Sequence, residues 1–225
     1  MPNPSPIRFE GLDTPAAALH AAVTPATRQH ADIGWRHALP ILGGAHARLR
    51  ELAPADAPSL LTMLTTEEVT RFISPPPTTV REFERFIEWT HRERAAGTQV
   101  VYGILPAGYD VAMGLIQLRQ MSPRFLVAEW GFALGSPFWG SGVFMDSARL
   151  VLDLAFTEIG IHRLEARSAV QNGRGNGVLR KLGAVQEGLL RQSLPRRGTF
   201  LDQVLWSILA EDWLQAKAVW SATIH

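Results

Sequence analysis

The residues best suited to chemistry lie in a short glycine-containing segment, 139–143, with the sequence W-G-S-G-V. It follows an apolar, strand-like run at 130–134 and leads directly into an amphipathic, helix-like run at 143–157. Glycine lets the backbone approach a ligand without a β-carbon in the way. The first turn of a helix adds free N–H groups at the positive end of the helix dipole. A strand, a glycine turn and a helix in this order therefore predict a phosphate-binding site.

Two common phosphate motifs do not fit this segment. A dinucleotide site requires the pattern G-x-G-x-x-G within a β-α-β unit, but the third glycine position holds Met145 and the preceding strands look antiparallel. A Walker-type nucleotide site requires Gly-Lys followed by Ser or Thr, and the chain contains no such triplet. The remaining interpretation is a pyrophosphate site in a mixed α+β protein.

The elements that must position this turn show both strand and helix patterns. Turn signals separate three strand-like runs between residues 99 and 134, which indicates an antiparallel meander. A polar loop at 195–198 is expected to join the last two strands. Asp56 is the predicted N-cap of the first helix. Strands are predicted at 47–52, 99–105, 111–120, 125–134, 163–170, 184–191 and 203–209, and helices at 54–64, 80–96, 143–157 and 177–182.

Residues 1–46 differ from the rest of the chain in being rich in Ala, Pro and His. We predict a loosely structured extension with short helical pieces near 16–22. Two interpretations of it stay open, a flexible tail and an arm that covers the substrate or contacts a second subunit. The regular domain is predicted at 47–215 and a C-terminal tail at 216–225.

Composition narrows the function classes. The 225 residues, 46% of them hydrophobic, fit one large domain. With 22 basic and 21 acidic residues the formal net charge is +1, which gives no support to binding of nucleic acid or an anionic membrane. The absence of cysteine excludes disulfides, thiolate metal sites and cysteine nucleophiles. No apolar run approaches the roughly 20 residues of a membrane span, and no signal peptide is evident. We expect a soluble, cytoplasmic protein.

Four blocks of the sequence together resemble the GNAT N-acetyltransferase superfamily, and more narrowly its ribosomal-protein N-terminal acetyltransferase branch. The glycine segment, continued as W-G-S-G-V-F-M-D, resembles the family's acetyl-CoA pyrophosphate loop. Asn172, with Gly183 eleven residues later, resembles the helix that flanks CoA. The blocks occur in the family's order and spacing at 139–146, 156–166, 172–184 and 201–213.

The resemblance implies a splayed, mostly antiparallel sheet of six to seven strands flanked by helices on both faces. Acetyl-CoA would lie in a V-shaped gap, with its pantetheine arm pairing like an added strand with the strand that ends at Leu134. Asn172 would hydrogen-bond this arm or the attacking amine, although Asn before Gly is also a turn signal. The implied cofactor-binding residues are Phe132, Ala133, Leu134, Trp139, Gly140, Ser141, Gly142, Val143, Phe144, Asn172, Arg174 and Lys181.

Transfer to an amine also requires a base, because an amine at neutral pH is mostly ammonium. The branch often places Glu at the start of the strand beside the cofactor, so Glu129 is the predicted base and Glu165 the second candidate. A solvated charge at a strand end is the alternative interpretation of Glu129. His91 lies on the helix that should border the acceptor, where a lone histidine is typically a surface residue. Glu129 and Asn172 are the predicted catalytic residues.

The chain departs from the family at the step that releases CoA. Some relatives have Ser three residues after the Asn, or Tyr seven residues after it, and each is proposed to protonate the thiolate. These positions hold Gly175 and Leu179 here. Water or another residue must then take this role, or transfer is impaired. Phe144 stands where the family usually has Ala or Gly and is expected to narrow the region around the pyrophosphate.

We therefore predict an acetyl-CoA-dependent N-acetyltransferase in which the amine attacks the acetyl carbonyl directly and a strand amide near 132–134 polarises it. The acceptor stays open between a protein N-terminus and a small amine, with Trp89 and Trp130 predicted to line its site. No metal-ligand spacing is visible, so no metal is expected. Dimers are common among relatives, and a homodimer is compatible with this assignment. The alternative function is a non-catalytic CoA-binding or regulatory module.

Overall fold

The computed structural model describes residues 34–196 and 198–222. Within these residues eight strands form one sheet in the order β1-β2-β3-β4-β5-β6-β8-β7. Neighbouring strands are antiparallel except β5 and β6, which are parallel. The strands are β1 (Leu42–Gly43), β2 (Ala47–Glu51), β3 (Gln99–Pro106), β4 (Gly114–Gln120), β5 (Val127–Leu134), β6 (Arg163–Ala169), β7 (Val185–Arg196) and β8 (Thr199–Leu209).

Helices cover both faces of the sheet. The longest, α4, shows how local sequence determines its ends: Thr79 and Glu82 form a capping box at its start, and Gly97 follows its last residue. Its range agrees with the helix predicted at 80–96. The helices of the described chain are α1 (Gly34–His37), α2 (Ala57–Leu64), α3 (Glu67–Thr70), α4 (Val80–Ala96), α5 (Val143–Leu154), α6 (Gly173–Lys181) and α7 (Ala210–Ala222).

The sheet separates two hydrophobic clusters. On one face α5 packs through Val151 and Leu152 against alternate residues of the central strands, such as Ile116 and Leu118. On the same face, this cluster continues to Leu179 of α6. On the other face, α2 and α4 pack on residues that include Leu105 and Leu115. The alternation of the two sets along each strand is the period of two expected for a sheet with both faces covered.

The fold is the α+β architecture expected from the sequence, with several differences in detail. The sheet has eight strands rather than six to seven, because the two-residue β1 adds an edge strand. Residues 34–46, predicted as part of a loose extension, contribute Trp35 and Leu39 to the core, so the folded unit begins before residue 47. The predictions for residues 1–33 lie outside the described residues.

Element ends account for the other differences. α6 begins at Gly173 rather than 177 because Asn172 caps it, and α5 ends at Leu154 in a π-helical turn, Ala155–Ile159. β7 and β8 extend to 196 and 199, where a loop was expected, and α7 extends into the predicted tail. None of the helices in the described ranges is both long and apolar enough to cross a bilayer.

Candidate active site

The sheet opens between its two parallel neighbours. Within the described chain β5 and β6 are joined by three residue pairs, of which Glu129–Glu165 is the last. Beyond this pair the strands separate, and five residues of β5 run along the open gap. The amide of Gly135 donates to the carbonyl oxygen of Met113, 2.9 Å away, on the side of β4. Backbone N–H and C=O groups point to alternate sides of a strand from one residue to the next. Those of Ala133 therefore also point towards β4, whereas those of Phe132 and Leu134 point into the gap.

The glycine turn lies at the open end of this gap. Gly140 and Gly142 have φ angles of 76° and 87°, in the left-handed region where side chains are disfavoured. Gly142 immediately precedes α5, so the free amides of the first turn of that helix face outward beside it. A β-carbon at Gly142 would lie 3.4 Å from the imidazole ring of His46. The turn therefore combines unobstructed backbone, a helix N-terminus and an exposed histidine, which is a suitable site for an anion.

A cavity of about 400 Å³ extends from the glycine turn into the gap. Its lining is mostly apolar and aromatic, and Phe144 packs against Phe132 with ring centroids 4.4 Å apart. Three charged side chains also line it, Glu68, Arg71 and Arg174. The lining comes from the α3 region (Glu68, Val69, Arg71, Phe72, Ile73), from β5 and the glycine turn (Phe132, Ala133, Leu134, Trp139, Gly140, Phe144) and from α6 (Asn172, Arg174, Gly175, Val178).

Trp139 connects the two sides of the gap at its mouth. Its indole N–H donates to the carbonyl oxygen of Leu134, 2.9 Å away, which fixes the ring against the end of β5. From the opposite side, the guanidinium of Arg174 lies 4.0 Å from the centre of the same ring, a cation–π contact. The cation of α6 is thereby held next to the glycine turn.

A buried carboxylate lies where the strands separate. Glu129 is 4% exposed, and its Oε2 accepts a hydrogen bond from Arg119 at 2.5 Å. Its Oε1 lies 3.7 Å from Nε of Arg167 on β6, and neither atom has a hydrogen-bond partner among the described residues. One oxygen of this carboxylate is therefore held in place while the other remains open to a donor.

The first turn of α6 brings three small polar groups together. Oδ1 of Asn172 accepts from the amide of Gly175 at 2.9 Å and so caps the helix. A β-carbon at Gly175 would lie 2.6 Å from Nδ2 of Asn172 and 3.1 Å from Oγ of Ser168. Asn172 thus serves as the cap that its turn-like sequence indicates and, at the same time, lines the cavity.

Comparison with known proteins agrees with this geometry. Residues 46–185, more than half of the chain, match the sequence model of the family described as "Acetyltransferase (GNAT) domain". The chain belongs to the GNAT family. This membership confirms the resemblance that the sequence motifs indicated, and it makes the protein an acyltransferase.

Individual GNAT relatives share the whole domain. The chain is 26% identical over 175 residues to "Putative ribosomal N-acetyltransferase YdaF" of Bacillus subtilis (strain 168), an alignment that covers 75% of this chain and 93% of the relative. A solved structure named as a putative acetyltransferase from T. thermophilus is 31% identical with a TM-score of 0.67, covering 82% of this chain and 97% of that one. "Mycobacterium smegmatis RimJ in complex with CoA-disulfide" shares the fold at a TM-score of 0.69 and 20% identity, covering 79% and 95%.

Several residues predicted from the sequence lie elsewhere in this GNAT domain. Trp130 is 2% exposed in the core, and Trp89 stacks on Phe86 at a centroid distance of 5.8 Å. Neither tryptophan is among the described residues that line the cavity, and the same is true of Glu129, Ser141, Gly142, Val143 and Lys181. Glu165, the second candidate base, is paired with Arg163 at 2.9 Å. His91 contacts the carbonyl oxygen of Leu52, 2.8 Å away, and so links α4 to the end of β2.

Sequence reasoning missed four residues that the GNAT fold brings to this site: His46, Arg119, Arg167 and Ser168. Each reaches the site through strand register or helix packing rather than through a local motif. His46, for example, is carried to the glycine turn because Asp146 of α5 accepts from its backbone amide at 2.7 Å. The alternation of side chains along 163–169 is the one sequence signal that separates Arg167 from Ser168, since it assigns them to opposite faces. In the described ranges no cluster of three or more acidic or histidine side chains could hold a metal ion.

Proposed function

We propose that this enzyme transfers the acetyl group of acetyl-CoA to the α-amine of a protein N-terminus. The observation that carries the proposal is the gap between β5 and β6, open beside a glycine turn that begins α5. An extended ligand with a terminal pyrophosphate suits this arrangement, because the gap offers unpaired strand edges and the turn offers amides. The fold shared with RimJ, which was solved with CoA-disulfide, supports the same ligand.

The residues of the chain fit CoA at both ends. Backbone groups of Phe132 and Leu134 would bind the pantetheine arm, although the carbonyl oxygen of Leu134 already accepts from Trp139. The amides at the start of α5, with His46 and Arg174 beside them, would hold the pyrophosphate. Phe144 would narrow the channel through its contact with Phe132. When bound, acetyl-CoA supplies an activated acetyl group as a thioester.

Glu129 is the proposed general base. Arg119 orients its carboxylate through Oε2. Oε1, which lies 3.7 Å from Nε of Arg167 and makes no hydrogen bond to a described group, would accept the proton that the acceptor ammonium must lose. The amide of Phe132 points into the same gap and would polarise the acetyl carbonyl. Glu165 stays the second candidate, since its Oε1 accepts a hydrogen bond from Arg163 at 2.9 Å much as one oxygen of Glu129 accepts from Arg119. Asn172 would contribute through Nδ2, since its Oδ1 is used in the helix cap.

The cavity wall favours an acceptor with little positive charge. Glu68 is the one carboxylate that lines the cavity among the described residues, and it is accompanied by two arginines and by Val69, Phe72 and Ile73. Polyamines and basic peptides require a more acidic surface. A neutral peptide N-terminus satisfies both the charge and the apolar wall, and it agrees with the relative named as a ribosomal N-acetyltransferase. A small apolar amine is the second candidate, favoured by the same aromatic lining.

Thiol release from acetyl-CoA in the presence of different amines tests the proposal. The panel contains peptides with N-terminal Ala or Ser, the same peptides with blocked N-termini, spermidine, and a small aromatic amine. We expect release with the free peptides and acetylation at their first residue by mass spectrometry. Release with the small amine alone would exclude a protein acceptor. Tight acetyl-CoA binding without release for any amine would support the non-catalytic alternative.

A further inference from the structure

We propose that the hydroxyl of Ser168 donates a hydrogen bond to the sulfur atom of CoA as it leaves. This inference rests on the proposed function, because it assumes that CoA lies between β5 and β6. It answers a chemical question that the sequence raised. Gly175 and Leu179 provide no hydroxyl on α6 to stabilise the departing thiolate, so this task requires another part of the fold.

Strand register places Ser168 across the gap from Phe132. The last β5–β6 pair in the described chain is Glu129–Glu165, and Phe132 and Ser168 both lie three residues beyond it on their own strands. Ser168 is therefore opposite the residue whose amide points into the gap. Paired residues of neighbouring strands share a face, so the equal step of three assigns both side chains to the face covered by α5 and α6.

The Ser168 hydroxyl is buried without a partner. The residue is 7% exposed, and its Oγ makes no hydrogen bond to any group of the described residues. A buried hydroxyl that makes no hydrogen bond destabilises a folded protein, and native structures rarely contain one without a reason. Ser147, also in this core, shows the usual arrangement, since its hydroxyl donates to the carbonyl oxygen of Val143 at 2.8 Å.

Glycine at position 175 keeps this hydroxyl close to the cavity. Gly175 and Asn172 both line the cavity, and a β-carbon at Gly175 would lie 3.1 Å from Ser168 Oγ. The hydroxyl thus lies behind a part of the cavity wall that has no side chain. A larger residue at 175 would occupy the space next to the hydroxyl and separate it from the gap.

The chemistry requires a hydrogen bond and no proton transfer from Ser168. The acceptor nitrogen bonds to the acetyl carbon, the carbon–sulfur bond breaks, and its electron pair stays on sulfur. The ammonium gives one proton to Glu129 before the attack, the nitrogen gives its second proton to solvent as the amide forms, and Ser168 keeps its own. A thiolate is a weak base, as the cysteine pKa of about 8.5 illustrates, and it can therefore leave as an anion. A hydrogen bond to the charged sulfur is therefore sufficient to favour its departure.

The pKa of the CoA thiol bound to the enzyme tests this role without turnover. It is measured from the ultraviolet absorbance of the thiolate as the pH of the enzyme–CoA complex is varied. In the native enzyme we expect a pKa below that of free CoA, and in Ser168→Ala a pKa higher by about 1, the effect of losing one hydrogen bond to an anion. We also expect kcat to fall about tenfold with the KM for the acceptor unchanged.

The control variant is Ser147→Ala, which removes a buried hydroxyl that already has a partner. Its bound-thiol pKa and kcat should match those of the native enzyme. Ser168→Ala should melt no lower than the native protein, because the hydroxyl it removes bonds to no described group. A lower Tm with an unchanged thiol pKa would overturn the proposal and assign Ser168 a structural role. Failure of the native enzyme to bind CoA would instead contradict the proposed function itself.

Discussion

Two buried carboxylates in this molecule differ in how many of their oxygens accept hydrogen bonds. Asp56, 0% exposed, accepts from both terminal nitrogens of Arg50 at 2.7 and 2.9 Å and from the amides of Ala53 and Ala112 at 2.7 and 2.9 Å. Glu129, 4% exposed, has one oxygen bound by Arg119, and the other lies 3.7 Å from Nε of Arg167 without a hydrogen bond to any described group. Both oxygens of Asp56 accept hydrogen bonds, whereas in Glu129 only Oε2 does so within the described chain.

The difference separates a structural group from the group that we propose as the base. Asp56 joins the end of β2, the start of α2 and the loop before β4, so its hydrogen bonds fix three segments that are distant in sequence. Burial alone would raise its pKa, but the bonds from Arg50, Ala53 and Ala112 outweigh burial and hold the pKa of Asp56 below its usual range. Glu129 contacts Arg119 of β4 and Arg167 of β6, and its Oε1, at the point where the strands separate, makes no hydrogen bond to a described group.

The largest effect is expected from Asp56→Asn. The change leaves Arg50 without its ion pair and turns an NH2 group towards donors that need an acceptor, so the free energy of unfolding should fall by about 3 kcal/mol. Urea denaturation measures this loss. Below the unfolding transition the kcat of the variant should equal that of the native enzyme. A normal stability would show that the three segments are held together by packing alone.

Asp110→Ala is the matched control for this stability measurement. Asp110 is fully exposed and lies 3.7 Å from the half-exposed Arg48, so its loss should leave the urea midpoint unchanged.

The comparison predicts the reverse result for Glu129→Gln. We expect kcat/KM to fall about 100-fold, because a glutamine cannot accept the proton of the ammonium. Stability should fall less than in Asp56→Asn, because Arg119 is half-exposed and Arg167 lies 3.7 Å away. Steady-state kinetics with the best acceptor of the panel give the first quantity and urea denaturation the second. Glu165→Gln discriminates between the two candidate bases, and its rate should stay within about threefold of the native rate. A variant of Glu129 that unfolds readily but retains its rate would show that this carboxylate has a structural role, as Asp56 does.

Arg174→Gln tests whether the guanidinium at the mouth of the gap binds CoA or stabilises the fold. Its guanidinium contacts Trp139 on an exposed surface, where such a contact stabilises little. We expect unchanged stability and a CoA dissociation constant about tenfold higher, because one charged hydrogen bond to phosphate is lost. Titration calorimetry measures the affinity, and the loss should be smaller at high salt. Arg180→Gln, on the same helix and also exposed, is the control with unchanged affinity.

The smallest expected effect is on acid stability. Hydrogen bonds from Arg163 and Ser207 lower the pKa of Glu187 to about 2, from an ordinary value of 4.5. The folded protein therefore releases this proton more readily than the unfolded chain, and the stabilisation is present above pH 4.5 and is lost as the pH falls towards 2. Glu187→Gln should slightly reduce the slope of the free energy of unfolding against pH in this interval. Asp56→Asn should flatten it more, and equal slopes in all three proteins would contradict both assignments.

The sequence could predict features that depend on neighbouring residues, and it could not predict those that depend on distant partners. Local signals sufficed for α4, because Thr79, Glu82 and Gly97 lie within or next to the helix, and for the strand, glycine turn and helix around residue 140. The start of α6 was placed too late because glycine disfavours helix, whereas the Asn172 cap and packing against β6 outweigh that preference.

Partners from distant strands could not be predicted in this way. Glu129 meets Arg119 and Arg167 only because β4 and β6 flank β5 in one particular register. The same register puts Ser168 level with Phe132. Resemblance to the family predicted the cofactor loop and Glu129 as the base, but the groups that orient Glu129 are 10 and 38 residues away in sequence, which periodicity does not reveal.

The gap between β5 and β6 has a mechanical consequence. Three residue pairs, about 10 Å of strand, join the backbones of β5 and β6 within the described chain, and a shared hydrophobic cluster packs across the same seam. A ligand that pairs with both inner edges adds backbone hydrogen bonds across this seam. Its binding energy then adds to the cohesion of the fold, by about 2.7 kcal/mol when its concentration is 100 times its Kd. Cofactor supply would thus set the rigidity of the enzyme as well as its rate.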